Sequence, residues 1–149
     1  MSIKSSHKGF TLIELLVVIS IIGILAAVIT VSFTSAQKQA RDVNRKSDLT
    51  QYRNSLESYA NKNNGLYPIF TSRRDPSTNL CTPLGLTCPG PADPKTSDSN
   101  YYYSYITDAA GTQYVLWSSM ETSANKWVVC SNGKSGQYNS TPVTGVCPI

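Results

Sequence analysis

Glu14 and four cysteines, Cys81, Cys88, Cys130 and Cys147, are the residues of this chain whose type and placement suggest chemistry. Glu14 opens a run from Leu15 to Val31 that is apolar except for Ser20, Gly23 and Thr30. With Phe10 to Ile13 added, the run is about 22 residues, or roughly 33 Å as a helix, which matches the hydrocarbon thickness of a bilayer. An ionised carboxylate at the bilayer centre costs about 2.5 to 3.5 kcal/mol and less toward the edge, so Glu14 calls for a partner. The cysteines are even in number, confined to the C-terminal half and outside any close-spaced metal knuckle. They read as two disulfides in an oxidising compartment.

Enzymatic chemistry is not indicated. The one histidine is His7, near the N-terminus. Paired cysteines leave no thiol nucleophile, and neither a Gly-rich phosphate loop nor a zinc spacing occurs, so no catalytic residue and no cofactor is expected. Asp93, Asp98 and Asp108 could bind a cation, but the tail from Ser131 to Ile149 has no acid, and no metal is expected. Arg73-Arg74 is too small a basic cluster to argue for nucleic acid, which the sequence leaves open and unsupported.

The elements that must position these residues follow from periodicity. Beyond Val31, the residues Phe33, Ala36, Ala40, Val43, Tyr52, Leu56 and Tyr59 recur at helical steps, with Leu49 just off the stripe. One helix is therefore predicted from about Phe10 to Asn63. Lys38, Arg41, Asp42, Arg45, Lys46, Asp48, Arg53 and Glu57 lie between those positions and read as a mixed-charge solvated face. Asn63-Asn64-Gly65 and Pro68 end the helix. At about 1.5 Å per residue such a stem spans roughly 80 Å, more than a small domain can cover. Gly23 disfavours helix by about 1 kcal/mol relative to Ala, but no proline interrupts the stem, so it is expected to stay unbroken.

From Gly65 to Asn100 the chain is rich in Pro, Ser and Thr and reads as a long connecting loop. Tyr101 to Ile106, Thr112 to Met120 and Lys126 to Cys130 read as three strands joined by turns at Asp108–Gly111 and Glu121–Asn125. The expected class is α+β, with a three-stranded antiparallel sheet covered by the stem around Tyr52, Leu56 and Tyr59. The Gly-, Ser- and Asn-rich tail shows no strand pattern.

The heptapeptide Lys8-Gly9-Phe10-Thr11-Leu12-Ile13-Glu14 and the apolar run behind it resemble the type IV pilins and the pseudopilins of type II secretion. Asn64-Gly65-Leu66-Tyr67-Pro68 resembles the end of the stem helix in pseudopilins and many pilins. The resemblance implies a leader 1–9, cleaved after Gly9 by a prepilin peptidase, and methylation of the new amine on Phe10. It implies a membrane and filament-core segment 10–33, an amphipathic stem 34–64, a connecting loop 65–100 and a sheet with a disulfide loop 101–149. Subunits would assemble into a helical filament through the stem, with Glu14 paired to the Phe10 amine of a neighbour. An opposite charge about 4 Å away is worth about 4 kcal/mol at an effective dielectric near 20, enough to offset burial of Glu14, although the amine of the same chain competes. The implied partners are further copies of the chain, the inner membrane before assembly, the prepilin peptidase and the pilus or secretion machinery. No enzymatic role is implied.

Three pairings of the cysteines are open, and sequence order favours Cys81 with Cys88 and Cys130 with Cys147. Topology signals conflict. Lys38, Arg41, Arg45 and Lys46 after the apolar run outnumber Lys4, His7 and Lys8 before it, which favours a cytoplasmic C-terminal side. The cysteines and the leader motif favour a single-pass protein with an extracytoplasmic domain, and that reading is adopted. Two other readings are a cleaved signal peptide ending at Thr34-Ser35-Ala36 and a monomeric membrane-anchored binding protein or adhesin. Loss of Lys4 and Lys8 would lower the net charge from +4 to +2, leaving eleven basic against nine acidic residues.

Overall fold

The computed structural model describes residues 9–149; the leader residues 1–8 lie outside the described residues, as do the side chains of residues 29–32. Six elements follow one another: α1 (Leu12–Lys62), a one-turn α2 (Pro76–Asn79), and strands β1 (Tyr103–Thr107), β2 (Tyr114–Ser119), β3 (Lys126–Cys130) and β4 (Ser135–Tyr138). Of the described residues, 9–37 belong to one compact unit and Lys38–Ile149 form a second.

α1 is one helix of 51 residues, passing through Gly23 without a break. Its end is set by the left-handed residues Asn64 (φ 55°) and Gly65 (φ 79°). The Gly65 N–H donates to the carbonyl of Ala60 at 2.8 Å, closing the last turn.

In the second unit the four strands form an antiparallel meander in the order β1-β2-β3-β4. The sheet is therefore four-stranded rather than three-stranded. β4 lies in the tail that shows no strand pattern, because Ser135-Gly136-Gln137-Tyr138 carries no apolar alternation. Its order comes from the ladder to β3, which pairs Trp127 with Gln137 and Val128 with Gly136. The other sheet edge is capped by the connecting loop: Arg74 and Tyr105 exchange backbone hydrogen bonds of 3.0 and 2.9 Å, and the Thr107 N–H reaches Phe70.

Both faces of the sheet are covered. On one, Leu49, Tyr52, Leu56 and Ala60 of α1 pack against Tyr103, Tyr105, Tyr114, Leu116 and Val129. Ile106, Val115, Trp117, Val128 and Cys130 fill the other beneath Tyr138, Cys147 and Ile149 of the tail. The tail lies so close that a Cβ on Gly145 would collide with the backbone of Thr107 and Asp108. Core tyrosines also pin the proline-rich loop, since buried hydroxyls need acceptors. Tyr52 donates to the Pro91 carbonyl at 2.6 Å and Tyr105 to that of Pro68 at 2.9 Å.

The apolar positions of the stem divide between two faces. Leu49 is fully buried, whereas Val43 is 64% exposed. Nine residues separate Val43 from Tyr52, two and a half turns at 3.6 residues per turn, so the two point in opposite directions. The solvated mixed-charge face is also overturned: Asp42 and Arg45 are buried, and Arg41, Lys46, Asp48, Arg53 and Glu57 are half-buried.

Candidate functional site

Two arrangements of charged residues on α1 stand out. The first is at the start of α1. The Thr11 N–H and hydroxyl donate to Oε2 of Glu14 at 2.8 and 2.7 Å, and the Glu14 N–H returns a bond of 3.3 Å to Oγ1 of Thr11. This is a reciprocal capping box, which satisfies donors that a helix start otherwise leaves open. It begins the helix at Leu12 and fixes Glu14 as the third residue of the first turn, four residues beyond exposed Phe10. Among the described residues, Oε1 of Glu14 accepts no hydrogen bond. Thr11 thus holds the Glu14 carboxylate in place, and Thr-x-x-Glu before an apolar run is the sequence signal for it.

The second arrangement is a clamp around Arg45, whose side chain is fully buried. Its guanidinium grips Asp93 of the connecting loop with two bonds, Nε to Oδ2 at 2.7 Å and Nη2 to Oδ1 at 2.9 Å. Nη1 meets Asp42 at 2.7 Å and Glu121 of the β2–β3 turn at 2.8 Å. Arg41 adds a bidentate pair to Glu121 with both distances 2.7 Å. Asp42 in turn accepts the backbone N–H groups of Glu121 and Thr122, both at 2.9 Å. Burial opposes the charge on Arg45, but Asp93, Glu121 and Asp42 more than offset it and hold the guanidinium protonated. The bonds from Arg41, followed by those from Arg45, pull the Glu121 carboxyl down to about 2 against the effect of burial. Burial pushes Asp42 up, yet the N–H of Glu121 and the bonds of Thr122 and Arg45 leave it below the usual carboxylate range.

Each carboxylate of the clamp is committed to fixed donors, so the clamp joins helix, loop and turn. It also explains the excess of basic residues after the apolar run. Arg41 and Arg45 are consumed by carboxylates and the Lys46 ammonium rests 4.2 Å from the centre of the Trp127 ring. Of the four, only Lys38 is fully exposed.

The three candidate cation ligands are kept apart. Asp93 belongs to the clamp, Asp98 accepts from Asn100 and Lys95, and Asp108 caps its own turn through Thr112 and Gln113. Among the described residues, no group of three or more His, Cys, Asp or Glu could hold a metal ion. Cys81 is bonded to Cys88 and Cys130 to Cys147. The tyrosine run is divided: Tyr103 and Tyr105 are core, while Tyr101 and Tyr102 stay half-exposed beneath the cations of Lys95 and Arg73.

Comparison with known proteins adds to this geometry. Residues 4–30 match the family described as the prokaryotic N-terminal methylation motif. The chain is 30% identical over 141 residues to the type IV wide pilus major component PilA4 of Thermus thermophilus, covering 95% of this chain and 94% of that protein. It is 34% identical over 79 residues to the type II secretion system core protein G of Aeromonas hydrophila, covering 53% of this chain and 54% of that protein.

Proposed function

The chain belongs to the type IV pilin and type II secretion pseudopilin family and is a structural subunit of a pilus or pseudopilus, and from that premise we propose how its own N-terminal residues serve assembly. A prepilin peptidase hydrolyses the Gly9–Phe10 bond, and the freed amine of Phe10 is methylated. The subunit waits in the inner membrane as a single-pass protein with its disulfide-bonded domain on the extracytoplasmic side. It then joins a helical filament of its own copies, driven by the pilus or secretion machinery.

The observation that carries this reading is the capping box. It holds Glu14 in the first helical turn through two bonds from Thr11 to Oε2, and from there the carboxylate accepts the amine of Phe10 from a neighbouring copy. A charged pair inside an apolar helix bundle is costly when one member is removed, commonly about 3 to 5 kcal/mol, so the pair would select one axial register over its neighbours. The role is structural, and no catalytic step is assigned to the chain.

Glu14→Ala tests this. The variant should be inserted, processed and folded, and should fail to enter filaments, as read from the amount of the chain in sheared-filament fractions. Wild-type amounts would contradict the role given to Glu14.

A further inference from the structure

The two disulfides stand in different surroundings. Cys130 is fully buried and Cys147 packs on the cluster around Trp117, so their bond ties the tail across one face of the sheet. Cys81 is buried two residues beyond α2, but its partner Cys88 is exposed. A thiolate attacks a disulfide only at a sulfur it can reach, and exposed bonds are the ones that exchange. The Thr82 hydroxyl lies 3.4 Å from Sγ of Cys88 and must be the donor there, since a bonded sulfur carries no hydrogen. It draws electron density from the sulfur that is open to attack. Sγ of Cys81 lies 3.5 Å from the carbonyl of Thr78, an acceptor for the proton that a released Cys81 thiol would carry.

The segment around this bond is held by other means. Just outside the two cysteines, the Gly90 N–H donates to the Ser77 carbonyl at 2.9 Å. Tyr52 holds the Pro91 carbonyl, Arg45 grips Asp93, and on the other side Leu80 is fully buried. Opening the bond therefore frees only residues 82–87. Of these, Pro83, Leu84 and Gly85 form one wall of a groove of about 420 Å³, and the stem at Ser55 and Tyr59 forms the other.

We infer that Cys88 is a site of reversible thiol modification, and that the Cys81–Cys88 bond is a redox-sensitive strap on this groove while the Cys130–Cys147 bond is structural. The reactant is a soluble thiol. Its thiolate attacks Sγ of Cys88, and a mixed disulfide forms as the Cys81–Cys88 bond breaks. The electron pair leaves on Cys81, which takes a proton from water. A second thiolate then attacks the outer sulfur of the mixed disulfide and releases Cys88 as a thiolate, which is protonated in turn. The chain has gained two electrons and two protons, and two molecules of the soluble thiol have become one disulfide. None of this depends on the filament reading, which stands whether or not the strap opens.

The test uses the mature chain, solubilised in detergent with both disulfides intact. It is incubated with reduced glutathione at mildly alkaline pH and pulsed with N-ethylmaleimide, and each cysteine is followed by peptide mass mapping. Cys81 should become labelled at least tenfold faster than Cys130 and Cys147, and glutathione should be found on Cys88 at least tenfold more often than on Cys81. The double variant Cys81→Ser, Cys88→Ser should still fold with its Cys130–Cys147 bond formed and unfold in one cooperative transition. Labelling of all four cysteines at one rate, earlier opening of the Cys130–Cys147 bond, or glutathione mainly on Cys81 would overturn the inference. So would a strap that stays closed at a glutathione concentration that opens it in the urea-unfolded chain, or a double variant that does not fold.

Discussion

Glu121 shows how a single carboxylate, far from α1 in sequence, holds a turn in place. Its carboxyl is pulled down to about 2 by Arg41 and Arg45, and an ordinary Glu titrates near 4.3. A folded-state value below the unfolded one stabilises the fold fully above the unfolded value and is lost as pH falls through the folded value. Thermal unfolding of the detergent-solubilised mature chain should therefore be flat down to about pH 5 and weaken by about 2 to 3 kcal/mol between about pH 4.5 and 2. Glu121→Gln should be less stable at neutral pH and should lose less in that window. Ser104 makes the opposite case. Its Oγ is buried on β1 and, among the described residues, finds no hydrogen-bond partner. Replacing it with Ala removes a buried, unsatisfied hydroxyl and should leave stability unchanged or raise it by up to about 1 kcal/mol in the same unfolding measurement.

At the scale of elements, the two faces of α1 carry the argument. Leu49 is fully buried against the sheet, so Leu49→Ala should cost about 2 to 5 kcal/mol, whereas Val43→Ala on the outer face should change the stability of the isolated subunit by less than about 0.5 kcal/mol. Equal losses in chemical denaturation would mean that the helix is rotated from the orientation described here. The existence of the stem, its end at Asn64-Gly65 and strand β3 were legible in the sequence, because each rests on local periodicity and turn chemistry. Which side of the stem faces the sheet was not. Periodicity gives spacing alone, and Leu49 and Val43 are both apolar; the choice is made by Asp93 and Glu121, which draw Arg45 inward from 48 and 76 positions away in sequence. β4 was hidden for a related reason: a Ser-Gly-Gln-Tyr segment becomes a strand only when β3 offers it a ladder and Tyr138 can join the cluster around Trp117.

On the scale of the whole molecule, the N-terminal heptapeptide and the domain behind it answer different needs. The heptapeptide, the apolar run and the likeness to a pilus component across nearly the full length place the chain among filament subunits. The domain contributes a sheet with both faces covered and loops tied by a buried ionic clamp and two disulfides. The family was legible from residues alone because a Glu at a fixed distance behind Gly-Phe, in front of a membrane-length apolar run, is a dense local signal. The clamp was not, because its members come together only in the fold. The central claim is that this chain is a processed filament subunit. It is tested most directly by the intact mass of the chain recovered from sheared filaments. The account predicts a polypeptide that begins at Phe10 and carries one added methyl group on its amine, with both disulfides formed. A chain that retains residues 1–9, or one that begins after Ala36, would contradict it.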